Sequence, residues 1–353
     1  MIQKMQLAQS YWPRTGCDRA NRSHVGIPGP DHGNILFEVQ LPHNQSEIDY
    51  HERGGCVVTD TMTLRVAYDR FLSSITLTGE ILWSVELPDI LHAFPVALQG
   101  GSCLVSLGNT ICVYSDSGDC VFQHDIEEQL DDSGVSPNLT DTGDLILGCT
   151  DGLVFCLDAM EVKEVVDFGY DILPPAIYPD NSLAISGYHG VGFCRVRLSG
   201  QKVWTTDFKC ADLLPTINRQ NVSAVGSLDD EKSAFFSADG DLLGTYPRAA
   251  IFAEYSSQAW IARSHKYLAK LTASGQECWG YKLHDDSNWG HCQPIVDSQG
   301  RIYVVDDDKL LCFSGDGQIV FATDIQGSYW GGLSCIFPGK LAFVGGGKLK
   351  IIG

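Results

Sequence analysis

The sequence predicts an all-β chain, a single β-propeller of eight four-stranded blades with seven as the alternative count. Three observations carry this. A glycine followed four residues later by an aromatic recurs at intervals of about 40 residues. A proline opening a short apolar strand recurs with the same period. No stretch beyond about two turns shows helical periodicity, the weak exceptions being residues 126–130 and the first ten residues.

The glycine–aromatic pair occurs as Gly33/Phe37, Gly79/Trp83, Gly118/Phe122, Gly200/Trp204, Gly275/Trp279 and Gly317/Phe321, with a degenerate copy at Gly240/Gly244 and a lost glycine near Met160 to Val166. The prolines are Pro95, Pro137, Pro175, Pro215 and Pro294. Proline suits the first residue of a strand, where no ladder donor is needed. Between these marks each repeat reads as four short strands. In the third, Pro137 to Leu139 leads through Asp141-Thr142-Gly143 to Leu145–Leu147, and then through Asp151-Gly152 to Leu153–Leu157 and Val162–Phe168. Such turns between apolar runs are hairpin chemistry. Four antiparallel strands cannot bury both faces alone. Stacked around a ring they can, with the aromatics Trp83, Trp204 and Trp279 between adjacent blades.

The ends predict how the ring closes. The last repeat stops at Gly353 without a fourth strand, and the N-terminal region carries a surplus one, Asn34 to Leu41, with its own Gly33/Phe37 mark. That strand is expected to complete the last blade and remove an open edge. The chain then divides into an N-terminal extension, 1–32, and the propeller, 33–353.

Length and composition are compatible with one large ring. The 353 residues are 44% apolar and include 37 glycines. A net charge of −20 repels phosphate backbones and anionic lipid, so neither nucleic acid nor a membrane is expected as partner. The 13 cysteines show no regular framework, and many sit in strand-like runs as small hydrophobes. This points to a reducing compartment, hence a cytoplasmic protein. No apolar run of signal-peptide or membrane-spanning length is present.

The segment Leu77-Thr78-Gly79-Glu80-Ile81-Leu82-Trp83 resembles the end of a PQQ-type propeller repeat, and Trp12-Pro13-Arg14-Thr15-Gly16-Cys17-Asp18-Arg19-Ala20-Asn21 resembles the start of such domains. The resemblance covers nearly the whole chain and implies the fold. The superfamily includes quinoprotein alcohol dehydrogenases, a lipoprotein of outer-membrane assembly and many repeat proteins. Its dehydrogenases bring a vicinal disulfide, a tryptophan under the quinone and a calcium site. Here no two cysteines are adjacent, so neither PQQ nor calcium is expected, and no metal site is predicted.

Site residues follow from where propeller loops gather. The connections from each outer strand to the next inner strand surround one mouth of the central channel. They are rich in acids, histidines and aromatics. Placed there, His291 and His92 would serve as acid or base with Asp212. Arg53 and Arg248 would clamp a carboxylate or phosphate. Asp285 and Asp286, with Trp289, Tyr329 and Trp330 as an aromatic wall, would bind the ligand. Two function classes remain open. One is a propeller holding a small ligand or protein partner in this funnel. The other is a non-redox cyclase, lyase or hydrolase of a small polar or aromatic metabolite.

Overall fold

The computed structural model describes residues 5–43, 54–89, 91, 93–126, 136–149, 153–158, 161–167, 171–187, 191–284, 293–326 and 332–353. Its strands form eight four-stranded antiparallel sheets. Among the described residues there is no α-helix, only a 3-10 turn at Gln99–Gly101, and no helix is long and apolar enough to cross a membrane. In seven sheets the four strands are consecutive in the chain. In the eighth, Gly332–Phe337, Lys340–Gly345 and Lys348–Ile352 are joined by Ile35–Gln40, which pairs antiparallel with Lys348–Ile352.

Burial falls across the sheets from the first strand to the last wherever the side chains are described. In the first sheet, Gly54–Val58 and Leu64–Tyr68 are buried throughout, whereas Ile81–Glu86 is largely exposed. The recurrent prolines stand immediately before the first strands Val96–Ala97, Asn138–Leu139, Ala176–Ile177, Thr216–Ile217 and Ile295–Val296. Their missing N–H groups cost the ladder nothing there.

Strand pairing explains the glycine–aromatic mark. Seven of the eight outer strands carry a pairing irregularity at the same place, one residue before the aromatic position, at Leu36, Leu82, Val121, Val203, Leu243, Cys278 and Val320. A bulge re-aims the side chain that follows it, and here that aromatic crosses to the neighbouring sheet. Gly118 has φ +91°, and a Cβ there would lie 2.9 Å from Trp83. Trp83 Nε1 donates to Asp116 O at 2.8 Å, Trp204 Nε1 to Ala238 O at 2.9 Å and Trp279 Nε1 to Gly315 O at 3.1 Å. Each acceptor lies two residues before the next sheet's glycine. The third sheet, where the sequence has no such glycine, has its irregularity elsewhere, between Val154 and Phe155.

The same contact joins the eighth sheet to the first. A Cβ on Gly79 would lie 2.7 Å from Phe37, and Ser334 Oγ donates to Cys56 O at 2.6 Å.

Candidate functional site

The first strands expose an inner edge whose N–H groups need acceptors. Residues 5–32 supply them. Trp12 O accepts from Val58 N at 2.8 Å and Pro13 O from Ala97 N at 2.7 Å. Arg19 O accepts from Ile177 N at 2.8 Å and Ala20 O from Ile217 N at 2.9 Å. Arg22 O accepts from Glu254 N at 2.8 Å and Ser23 O from Val296 N at 2.9 Å, and in the eighth sheet Pro28 O accepts from Gly339 N, in the turn after the first strand, at 2.8 Å. Seven sheets are thus met in chain order. In the third sheet the Leu139 N–H is accepted by the side chain of Asn138 at 2.9 Å, and Asn138 Nδ2 donates back to Arg19 O at 2.7 Å. The N-terminal segment therefore runs along the axis, touching all eight sheets.

This axial segment brings polar side chains to the centre. Arg14 is fully buried. Its Nη1 donates to Asp18 O at 2.5 Å and Asn21 Oδ1 at 2.6 Å, its Nη2 to Ser136 O at 3.1 Å and its Nε to Pro137 O at 3.4 Å. Burial lowers its pKa to about 10, against the opposing pull of Asp18, so it stays charged at neutral pH. The proline carbonyls point at the same network: Asn21 Nδ2 donates to Pro215 O at 3.0 Å and Asn138 Nδ2 to Pro175 O at 2.9 Å. Thr15 and Ser136 share a hydroxyl contact of 2.8 Å. Ser23 Oγ donates to Gln293 Oε1 at 2.8 Å. Gln293 is 8% exposed, and its Nε2 has no hydrogen-bond partner among the described residues.

Of the residues chosen from sequence, Asp212 and Arg248 are described. His291, His92, Arg53, Asp285, Asp286, Trp289, Tyr329 and Trp330 lie outside the described residues. Asp212 has φ +61° and its N–H donates to Gly187 O at 3.1 Å, so this connection is fastened to the fourth sheet. Arg248 is exposed, with its guanidinium carbon 4.2 Å from the ring centroid of Tyr267 on the third strand of the sixth sheet. It therefore stands two strands out from the axis. His284, at the start of one connection, donates its backbone N–H to both oxygens of Asp306, at 2.9 and 3.0 Å. Among the described residues no three His, Cys, Asp or Glu side chains are grouped to hold a metal.

Arg14, Asn21, Ser136 and Gln293 were not singled out from sequence. For Arg14 and Asn21 the signal was present in the run Trp12 to Asn21, whose similarity to propeller starts marks a segment with a fixed place in the fold; Ser136 and Gln293 carried none.

No protein-family model matches the chain, and no curated protein does. Solved structures do. BamB from Moraxella catarrhalis aligns with TM-score 0.71 at 14% identity, over 91% of this chain and 99% of that one. The solved neighbours are β-propeller proteins. The fold is a β-propeller. A streptogramin B lyase structure aligns with TM-score 0.56 at 14% identity, over 90% of this chain and 97% of its own. The computationally designed Ika8 protein aligns with TM-score 0.65 at 12% identity, over 91% and 99%. At these identities the propeller architecture is what is shared.

Proposed function

We propose that the chain is an eight-bladed propeller of the PQQ-like type, closed by Ile35–Gln40, and that it binds a small acceptor-bearing ligand, or an acidic group of a protein partner, in the channel mouth. The observation that carries this is the buried Gln293 Nε2 donor beside the charged Arg14 network. A buried amide donor without an acceptor costs about 1–3 kcal/mol, and a ligand carbonyl or carboxylate at the axis would relieve it. Gln293 directly precedes the inner strand Ile295–Val296 at the end reached from the sheet-to-sheet connections. The protein's own N-terminal segment lies against the other side of this amide, where Ser23 Oγ donates to Gln293 Oε1 at 2.8 Å. Arg53 on its connection would supply further positive charge for an anionic ligand, whereas Arg248 is held out at Tyr267 and takes no part.

Neither PQQ nor calcium belongs to this reading, since the sequence has no adjacent cysteines. Eight of the eleven described cysteines are buried as small apolar groups, which suits a reducing compartment, and we assign the protein to the cytoplasm.

The test is a thermal-shift and calorimetric screen of the full chain against small carboxylates and phosphates, with PQQ plus calcium included. Binding that is lost in Gln293→Leu supports the reading. Equal binding by that variant, or a PQQ response, overturns it. Turnover of a bound ligand, abolished in His291→Ala, would replace binding by the lyase, cyclase or hydrolase alternative with His92, His291 and Asp212.

A further inference from the structure

Ten large apolar side chains are exposed among the described residues, and all of them lie in outer strands. Seven are concentrated on four consecutive sheets, the seventh, eighth, first and second: Ile319 and Val320, Ile35 and Leu36, Ile81 and Leu82, and Val121. These strands are neighbours around the wall. A Cβ on Gly33 would meet Phe321, one on Gly79 would meet Phe37 and one on Gly118 would meet Trp83. In each the bulge turns an aliphatic residue outward, so the apolar positions fall at the same height on successive sheets.

The outer strands of this arc carry charge of one sign, and of their carboxylates Glu38 is paired with Lys348 of the adjoining strand at 2.7 Å. The four outer strands contain no Lys or Arg, and each carries a carboxylate: Asp324, Glu38, Glu86 and Asp125. The fourth and sixth outer strands differ, with Lys202 and Lys209 in one and Lys282 in the other. The sixth also presents Glu277 and Cys278 at its start instead of an aliphatic pair. An exposed apolar patch of this extent marks an interaction surface. Here it is banded with acids on a chain of net charge −20, which selects a cationic partner through complementary potential. A second copy would bring like charge against like charge, and an anionic lipid surface would be repelled.

We propose that the outer wall of these four sheets docks a basic segment of a partner protein, one that alternates aliphatic residues with Lys or Arg. This surface is separate from the channel mouth and does not depend on what binds there.

The experiment measures fluorescence anisotropy of a labelled synthetic peptide of alternating leucine and lysine against the full chain. Three variants are compared with the parent protein. Leu36→Ser/Leu82→Ser/Val320→Ser removes the apolar arc, and Glu86→Gln/Asp324→Asn removes charge and leaves the aliphatics. Val203→Ser/Leu242→Ser/Leu243→Ser alters outer strands on the far side. The arc variant should bind at least about tenfold more weakly, the loss expected for a few aliphatic contacts. The charge variant should bind more weakly at low salt, and the far-side variant should stay within about twofold of the parent. Equal loss in the arc and far-side variants, or no loss in both the arc and charge variants, overturns the proposal. Self-association in sedimentation that disappears in the arc variant would assign the surface to a second copy. Adsorption to phosphatidylserine vesicles that the arc variant loses would assign it to lipid. Either result also overturns the proposal.

Discussion

Trp83 stands against Gly118 of the adjoining sheet, close enough that a Cβ on the glycine would lie 2.9 Å from the indole, and the indole N–H is fastened to Asp116 O at 2.8 Å. One tryptophan thus fixes the spacing of two sheets by shape and by a directed bond. Gly118→Ala forces a methyl group into the ring while φ is +91°. The expected cost is about 2 kcal/mol or more, read from urea unfolding. Trp83→Phe keeps most of the apolar contact and loses the donor, for about 1 kcal/mol.

Arg14 lies in the field of Asp18, but its hydrogen bonds go to carbonyl oxygens of the axial segment and of Ser136 and Pro137. Arg14→Leu strands the Ser136 and Pro137 carbonyls and Asn21 Oδ1 without their donor. A loss of roughly 3 kcal/mol or more is expected. Arg14→Lys should lose less, because it keeps the charge and part of the bonding. Equal loss in the two variants would show that the planar guanidinium is what the channel requires.

His24 sets a pH dependence. Burial, then the nearby Arg219 and Arg22, push its pKa below 6.5, against the pull of the Glu254 carbonyl and carboxylate. The neutral ring donates Nδ1–H to Glu254 O at 3.0 Å. Because the folded protein resists protonation here, this contribution to stability is intact above pH 6.5 and falls as the pH drops toward the lowered pKa. His24→Gln should flatten that part of the stability–pH curve, measured by thermal unfolding between pH 5 and pH 8 (a window of about three units around the histidine range). An unchanged slope would place the dependence on another group.

Thiol labelling should separate two populations. Cys120 and Cys278 are exposed, whereas Cys56, Cys103, Cys194 and Cys312 are buried. Burial raises the Cys103, Cys194 and Cys312 thiols to about 12, which suppresses the reactive thiolate. Peptide mapping after brief iodoacetamide treatment should find label on Cys120 and Cys278 in the native protein. The buried cysteines should appear only after denaturant is added.

The glycine–aromatic and proline marks were legible because each is a local requirement repeated in most of the sheets. The bulge beside the aromatic was not, since it exists only in the pairing register between two strands, such as Ser74 with Trp83 and Ile75 with Ile81. The axial role of residues 5–32 was hidden for a related reason. The groups that do the capping are main-chain carbonyls, of Trp12, Pro13, Arg19 and Ala20 among others, and carbonyls leave no trace in residue identity. Arg248 shows the limit of loop reasoning: its position on a connection was readable, but its side chain is drawn outward by Tyr267, a residue that only folding brings near. The glutamine that carries the proposed function drew no notice because one Gln before Pro294 looks like any strand opening.

The pairing of Ile35–Gln40 with Lys348–Ile352 also orders events in time. A chain made from its N-terminus produces its axial segment and closing strand first, yet the partners of both are spread over everything that follows, to the last strand. During synthesis the axial segment and Ile35–Gln40 wait without their strand partners while successive sheets emerge one after another. Folding is therefore gated by the synthesis of Lys348–Ile352: sheets can stack as they appear, but the eighth can be latched only after this strand has cleared the ribosome.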